Sequence, residues 1–342
     1  MGEVKYPKVN YIGNKEKISA WICDQFPKEA KTVLDAFSGG ASLSYEAKRR
    51  GYTVYSNDIL KVNYHLARAL IENSETTFSA ADLDLIFDGK PIKGFMYENY
   101  KDVFFFDFEC EELDLYRENI NRLNDDYKVS LAFSLMRRAM IRKMPYSRFT
   151  IPWETVKQLR NEEYSYEKYG RKRAYHNKSI KTLFLDNLSE YQKAIFDNGK
   201  KNEAYCGDIF SAVEAIKADV IYLDPPYGGT MNNYFGFYGM LDEYIDSVKK
   251  SPFDNNFMKK DNSLHLLDEL CSKLTHFKYW YLSYNNRAYP NKEDILKMLS
   301  KYSNDIQIIE KEHTYKITGK ENKNKNIEYL FILKYDRNRS SY

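Results

Sequence analysis

Apolar runs and helical stripes alternate along this chain. The runs at 32–34, 53–56, 204–206, 220–223 and 278–284 each stop at a polar residue or a turn, as buried strands do. Between them, Ile18, Trp21, Ile22 and Phe26 recur at helical spacing, and a helix is expected from about Ser42 to Arg50. Leu60, Tyr64, Leu66, Leu70 and Ile71 mark another helix, and 129–143 one more, with Leu131, Leu135, Met136, Ala139 and Met140 as its apolar stripe. Strands alternating with helices predict an α/β fold built on a mostly parallel sheet. The last two strand-like runs, 306–317 and 327–335, bracket a polar loop and predict an antiparallel hairpin at the sheet's edge.

The run at 220–223 ends in Asp224, Pro225, Pro226 and Tyr227. Each proline locks φ and removes a backbone donor, so the strand stops there and nearby carbonyls are left to accept from a ligand. Such a tip at the carboxyl end of a strand is where open α/β sheets bind ligands. Its chemistry suits a weakly nucleophilic planar amine: Asp224 and a main-chain carbonyl accept the two amine hydrogens, and Tyr227 offers a face for a base. The plainer alternative is a strand end followed by a rigid turn.

Three other stretches carry candidate chemistry. Gly13 allows a sharp turn and Asn14 can cap the helix that follows; alternatively Lys15 and the helix N-terminus hold a carboxylate. The strand at 32–34 reaches Asp35 and runs through Phe37, Ser38, Gly39 and Gly40 into a helix, a turn that lets backbone approach a ligand closely. The next strand ends in Asp58, roughly 20 residues after the glycine turn, which suits a ribose diol. This strand, turn, helix, strand and acid read as a nucleoside site, with an incidental α/β unit as the plainer alternative; G-K-[ST] is missing and the dinucleotide fingerprint is incomplete. Asp208, before Ile209, either accepts from an amino group such as that of an adenine or caps the next helix. The glycine- and aromatic-rich stretch 228–238 reads as a mobile loop able to close over a base.

Composition adds constraints. With 342 residues and 43% hydrophobic content, the chain has material for more than one domain. Its net charge of +3 is mild, so nucleic-acid binding has to be argued from local charge. Cys23, Cys110, Cys206 and Cys271 lie far apart without a C-x-x-C pair, which argues against zinc and a disulfide framework; no metal is implied. No apolar run approaches membrane length and the N-terminus lacks a signal h-region, so a soluble cytoplasmic protein without a membrane partner is expected. The 31 Tyr and 20 Phe exceed what a core alone suggests, and surface tyrosines can stack on bases.

Local charge gathers in the middle of the chain. Arg137, Arg138, Arg142, Lys143, Arg148, Lys157, Arg160, Lys168, Arg171, Lys172, Arg173 and Lys178 are interleaved with Tyr146, Phe149, Trp153, Tyr164, Tyr166, Tyr169 and Tyr175. This suits a phosphate backbone and exposed bases, though charge runs are commonly just solvated faces. Asp35 and Asp224 would end neighbouring strands, yet more chain separates them than a few crossovers of roughly 30 residues each require. A domain is therefore inserted between them on the ligand-binding edge.

Together these motifs resemble the Dam-like, alpha-group DNA adenine methyltransferases. Tyr11 to Lys15, Y-I-G-N-K, looks like their N-terminal cofactor motif, and D-A-F-S-G-G from Asp35 resembles D-x-F-x-G-x-G with Ala41 in place of the last glycine. Asp58 matches the ribose acid, G-D-I at 207–209 resembles the G-D-F that holds the cofactor adenine, and D-P-P-Y matches the catalytic motif outright. R-F-T-I-P at 148–152 is similar to part of the target-recognition region, and the motif order is that of the alpha group.

The resemblance implies a Rossmann-like class I sheet, mostly parallel with an antiparallel C-terminal hairpin. Residues 1–75 and 200–342 would form the catalytic domain and 76–199 an inserted, mainly helical target-recognition domain. It implies S-adenosylmethionine (SAM) held by Tyr11, Gly13, Lys15, Asp35, Phe37, Ser38, Gly39, Gly40, Asp58, Asp208 and Ile209. It also implies duplex DNA held through Arg142, Lys143, Arg148, Arg171, Lys172 and Arg173. A flipped adenine would stack on Tyr227 while Asp224 and the Pro225 carbonyl orient its amine, with Pro226 completing the motif. The setting would be a bacterial or phage-encoded, nucleoid-associated methylase, alone or paired with a restriction endonuclease for the same site. Cysteine-based attack through a cytosine ring carbon is disfavoured, since no cysteine follows a proline. Three alternatives stay open at this point: transfer to the amine of cytosine or to RNA, a catalytically silent nucleic-acid-binding subunit, and a dinucleotide-dependent oxidoreductase.

Overall fold

The computed structural model describes residues 4–145, 149–170, 176–228, 234–252, 256–312 and 326–336. The chain divides into two compact units, one of Tyr11–Ile59, Asn198–Asn232 and Phe253–Tyr342, the other of Met1–Asn10, Leu60–Asp197 and Asn233–Pro252.

The first unit holds a seven-stranded sheet: β1 Thr32–Asp35, β2 Thr53–Asp58, β3 Glu203–Cys206, β4 Val220–Leu223, β5 Tyr279–Asn285, β6 Ile306–Glu312 and β7 Ile327–Lys334. Their order is β3-β2-β1-β4-β5-β7-β6. The first five are parallel, and β7 lies antiparallel between β5 and β6. β4 is buried at every residue, as a central parallel strand must be, which is why it reads as an unbroken apolar run. Order reverses between β1 and β4, whose register sets Asp35 opposite Tyr222. A crevice forms at such a switch point, so Asp35 and Asp224 end up on one rim. The expected hairpin is present, and its second strand takes the inner position because Leu330, Phe331 and Leu333 are buried.

The N-terminal helix is shorter than its stripe suggested, Ser19–Cys23, and has no side-chain cap among the described residues. Asn14 instead closes a local turn by accepting from the Glu16 amide at 3.0 Å. Among the described residues no helix is long and apolar enough to cross a membrane.

The second unit is helical, built around Asp126–Lys143. Every residue of that helix from Ser130 to Ile141 is buried, so its polar positions face protein as well. Arg137 donates to the Val9 carbonyl at 2.7 Å and Arg138 to Asn187 Oδ1 at 3.3 Å. Glu109 takes Lys143 Nζ at 2.7 Å and Arg160 Nη2 at 2.6 Å, all three buried. Burial opposes the charge on Glu109, but Arg160 and Lys143 outweigh it and hold the carboxyl below its usual range.

The division differs from expectation in three places: residues 1–10 fall in the helical unit, its main run starts at Leu60, not 76, and it includes 233–252, which was expected to stay with the sheet. Asp242 explains the last two: its carboxylate accepts from the Lys61 and Val62 amides at 2.9 and 2.8 Å, capping Lys61–Ala67 with a residue from Tyr234–Asp246. The expected mobile loop at 228–238 is thus partly helix, with Phe237 and Tyr238 buried; 229–233 lie outside the described residues.

Candidate active site

The tip of β1 carries the first half of the site. Gly39 has φ +49 and lies under the Tyr11 ring; a Cβ there would sit 2.6 Å from Tyr11 Cε1. The turn therefore demands glycine on two counts. Ala41, where the motif has its last glycine, takes the same left-handed conformation at φ 58 and leads into Ser42–Arg49. An alanine in that conformation carries local strain that a glycine would not. Asp58 Oδ2 accepts from the Gly39 amide at 2.8 Å, tying the tip of β2 to the turn.

Asp35 is buried. Its Oδ2 accepts from the Ser44 amide at 3.1 Å and Ser44 Oγ at 2.7 Å, and Ser56 Oγ donates to Ser44 Oγ at 2.8 Å. Oδ1 is buried without a hydrogen-bond partner among the described residues. Burial pushes this carboxyl up to about 7; Ser44 opposes the rise, and the charges of Asp224 and Asp58 add to it. A carboxylate oxygen aimed into a cleft with nothing to accept from is suited to a cationic donor.

The tip of β4 carries the second half. Lys15 Nζ donates to Asp224 Oδ1 at 2.9 Å, lies 2.8 Å from Oδ2, and donates to Tyr227 Oη at 3.1 Å. Tyr227 Oη donates to Asp224 Oδ1 at 2.7 Å, and Glu328 Oε1 lies 3.3 Å from the same ammonium. Burial pushes the Asp224 carboxyl up; Lys15 pulls it down, Glu328 pushes it up, and the net direction is upward. Tyr11, Gly13, Lys15, Asp35, Phe37, Ser38, Gly39, Gly40 and Asp224 line one narrow cleft. The two acids meet, as their strand ends implied.

Some residues are placed otherwise than expected. Lys15 aims its ammonium at Asp224, so it lines the cofactor side while pairing with the catalytic motif. The Tyr227 ring is only 8% exposed and packs 4.8 Å from Tyr284, so it is covered where an open stacking face was expected. Pro225 is buried beside it and Pro226 half-buried. Asp208 is exposed and caps Ile209–Ala215, accepting from the Phe210 and Ser211 amides at 2.9 and 3.2 Å, while Ile209 lies in the sheet's core. Lys143 is interior and its charge is met by Glu109, so it is no phosphate ligand in this arrangement. Arg142 is half-buried; Arg148, Arg171, Lys172 and Arg173 lie outside the described residues.

Sequence reasoning missed Glu328, Ser44 and Asn57. Asn57 Nδ2 donates to the Ala36 and Gly207 carbonyls at 3.3 and 3.2 Å, stitching three strand tips together. A signal for Glu328 existed: it is the one acid in I-E-Y-L-F-I-L, at an inward position.

The chain beyond the catalytic motif is also fixed. Gly228 exchanges two backbone hydrogen bonds with Tyr289, at 3.1 and 3.0 Å, and a Cβ on Gly228 would lie 2.7 Å from the Tyr289 carbonyl. Gly228→Ala is therefore expected to lower stability by about 1–3 kcal/mol through overpacking, read from the urea unfolding midpoint. An unchanged midpoint would show that this contact relaxes freely.

A sheet of this order, with a glycine turn on β1, an acid ending β2 and D-P-P-Y after β4, defines a methyltransferase of the class I fold. The family model for D12 class N6 adenine-specific DNA methyltransferases matches residues 11–317. The chain belongs to that family, and it is an adenine-specific DNA methyltransferase. It is 58% identical over 333 residues to the Type II methyltransferase M2.HphI of Haemophilus parahaemolyticus, covering 97% of this chain and 99% of that one. It is 24% identical to the modification methylase StsI of Streptococcus sanguinis, covering 96% of this chain and 51% of the relative. With the Type II methyltransferase M.NlaIII of Neisseria lactamica it shares 21% over 95% of this chain and 99% of the relative. The adenine-specific family decides among the bases and activities left open by the residues alone.

Proposed function

We propose that the methyl donor is SAM, held on the β1 side of the cleft, and that the target adenine is flipped out of duplex DNA to meet Asp224. The observation that carries this reading is the orphan Oδ1 of Asp35 in a cleft shared with Asp224. The residues fit the donor: Asp35 offers a buried anion to its ammonium, Gly39 and Gly40 admit close backbone approach, and Asp58 suits its ribose. Tyr11 packs over the turn, with Phe37 and Ser38 completing the proposed contacts. When bound, SAM supplies a methyl carbon on a cationic sulfur that leaves as a neutral thioether.

The chain's own contribution is orientation and proton handling. Asp224 accepts one amine hydrogen and the Pro225 carbonyl the other, which favours a more tetrahedral nitrogen with its lone pair released. As the new C–N bond forms, the nitrogen becomes cationic and sheds a proton, and Asp224, with its raised affinity for protons, takes it. Positioning supplies most of the rate, and no covalent enzyme intermediate is needed. DNA is held through the helical unit, with Arg142, Arg148, Arg171, Lys172 and Arg173 as phosphate contacts. A restriction endonuclease acting on the same site is the natural companion, in a bacterial cytoplasm where cysteines stay reduced.

The test is calorimetric. Since Asp35 titrates near 7, its proton competes with the ligand's cation, and SAM affinity should fall about tenfold per pH unit below that value. In Asp35→Asn binding should be weak and nearly independent of pH. A wild-type affinity that is flat from pH 5 to 8 would remove Asp35 from the donor site.

A further inference from the structure

We propose that Glu328 is a positioning residue for methyl transfer, a second seat for the Lys15 ammonium that frees Asp224 to accept the target amine. This rests on the role given to Asp224 above. As the cluster stands, Lys15 lies within hydrogen-bonding distance of both Asp224 oxygens, at 2.9 and 2.8 Å, and Tyr227 Oη occupies Oδ1 as well. An incoming amine N–H is a neutral donor, whereas the Lys15 bonds are charge-assisted and roughly twice as strong. The amine cannot displace them unless the ammonium has somewhere else to go, because a buried cation without a counter-ion is strongly disfavoured.

Glu328 provides that place. It is fully buried on β7, its Oε1 is 3.3 Å from Lys15 Nζ, and it lies 3.4 Å from Tyr227 Oη. Lys15 can pass from one carboxylate to the other with a small swing of its terminal amine, and Tyr227 can follow the same path. The ionised cluster holds two carboxylates and one ammonium, so one anionic charge stays available to the substrate. A lone Lys15–Asp224 pair would be neutral and self-satisfied. Folding does not ask for a glutamate here, since its strand neighbours Leu330, Phe331 and Leu333 are buried and apolar. Asp35 and Tyr222 are the further titratable groups set around Asp224.

The test compares Glu328→Gln, Glu328→Asp and Asp224→Asn in the full chain, using single-turnover transfer of labelled methyl from SAM to duplex DNA. Glu328→Gln should slow transfer about 30- to 100-fold at saturating SAM and DNA. Its SAM dissociation constant should stay within about threefold of wild type. The acid limb of its pH–rate profile should move to lower pH, because a charge that raises the Asp224 pKa is gone. Glu328→Asp should recover part of the logarithmic loss but not all of it. A merely structural role would lower the unfolding midpoint without moving the acid limb. If Glu328→Gln transfers at the wild-type rate with an unmoved acid limb, the proposal is overturned; it is overturned equally if the slow rate is cured by more SAM. Should Glu328→Gln not fold, Glu328→Asp decides alone: a slower rate with normal SAM binding supports the second seat, and wild-type kinetics reject it. Asp224→Asn separates the two readings. If it is inactive while the Glu328 variants are normal, only the Glu328 role falls; if it transfers normally, the role of Asp224 falls too.

Discussion

Asp224→Ala should lose methyl transfer by on the order of 10⁴-fold at saturating SAM and DNA, while binding SAM nearly as wild type does. The size follows from the removal of both functions proposed for one carboxylate, orientation of the amine and uptake of its proton. Cofactor binding survives because Asp35, Asp58 and the Gly39 turn belong to β1 and β2 and do not lean on Asp224 for their geometry. The fold survives as well: Lys15 keeps Glu328 as a counter-ion at 3.3 Å. Single-turnover transfer of labelled methyl, beside calorimetry with SAM, gives both numbers. Residual transfer within about tenfold of wild type would mean that the amine is held elsewhere.

Lys15→Met should instead destabilise the protein, by about 3–5 kcal/mol at pH 8, since it leaves two carboxylates in one buried site with no cation between them. The sign of its pH dependence follows from Asp224, whose carboxyl is already pushed above its ordinary 3.8 with Lys15 in place. Without the ammonium that rise grows. A group raised on folding contributes stability below its unfolded pKa and loses it as pH climbs through the folded value. The deficit against wild type should therefore shrink toward pH 4 and widen above neutrality, measured by denaturant unfolding at several pH values. An equal deficit at all pH values would point to lost packing of the lysine stem rather than to charge.

Much of the catalytic rim was legible because it is local. Runs ending in acids named the strand tips, and the length of chain between Asp35 and Asp224 implied that a domain intervenes between neighbouring strands. What joins distant segments was not legible. Nothing near Lys15 says that its ammonium reaches Asp224, and nothing near Tyr227 says that its hydroxyl meets Glu328 from a strand near the C-terminus. The basic stretch misled for a physical reason: Arg137, Arg138, Lys143 and Arg160 resemble a solvated face, yet the helix Asp126–Lys143 is buried on all sides from Ser130 to Ile141, and these four cations meet carbonyls, Asn187 and Glu109. Asp242 shifted the unit boundary by capping a helix far away in sequence. Ala41 shows the reverse case, a position where the motif has glycine and where the alanine present takes the left-handed backbone that glycine favours.

Two strand tips divide the labour within one cleft, and titrating SAM against two variants tests that division most directly. In single-turnover assays on duplex DNA, the defect of Asp35→Ala should be recovered as SAM rises, because only donor affinity is lost. The defect of Asp224→Ala should persist at any SAM concentration. Recovery of Asp224→Ala by excess SAM, or an Asp35→Ala enzyme that stays inactive once SAM is saturating, would contradict it.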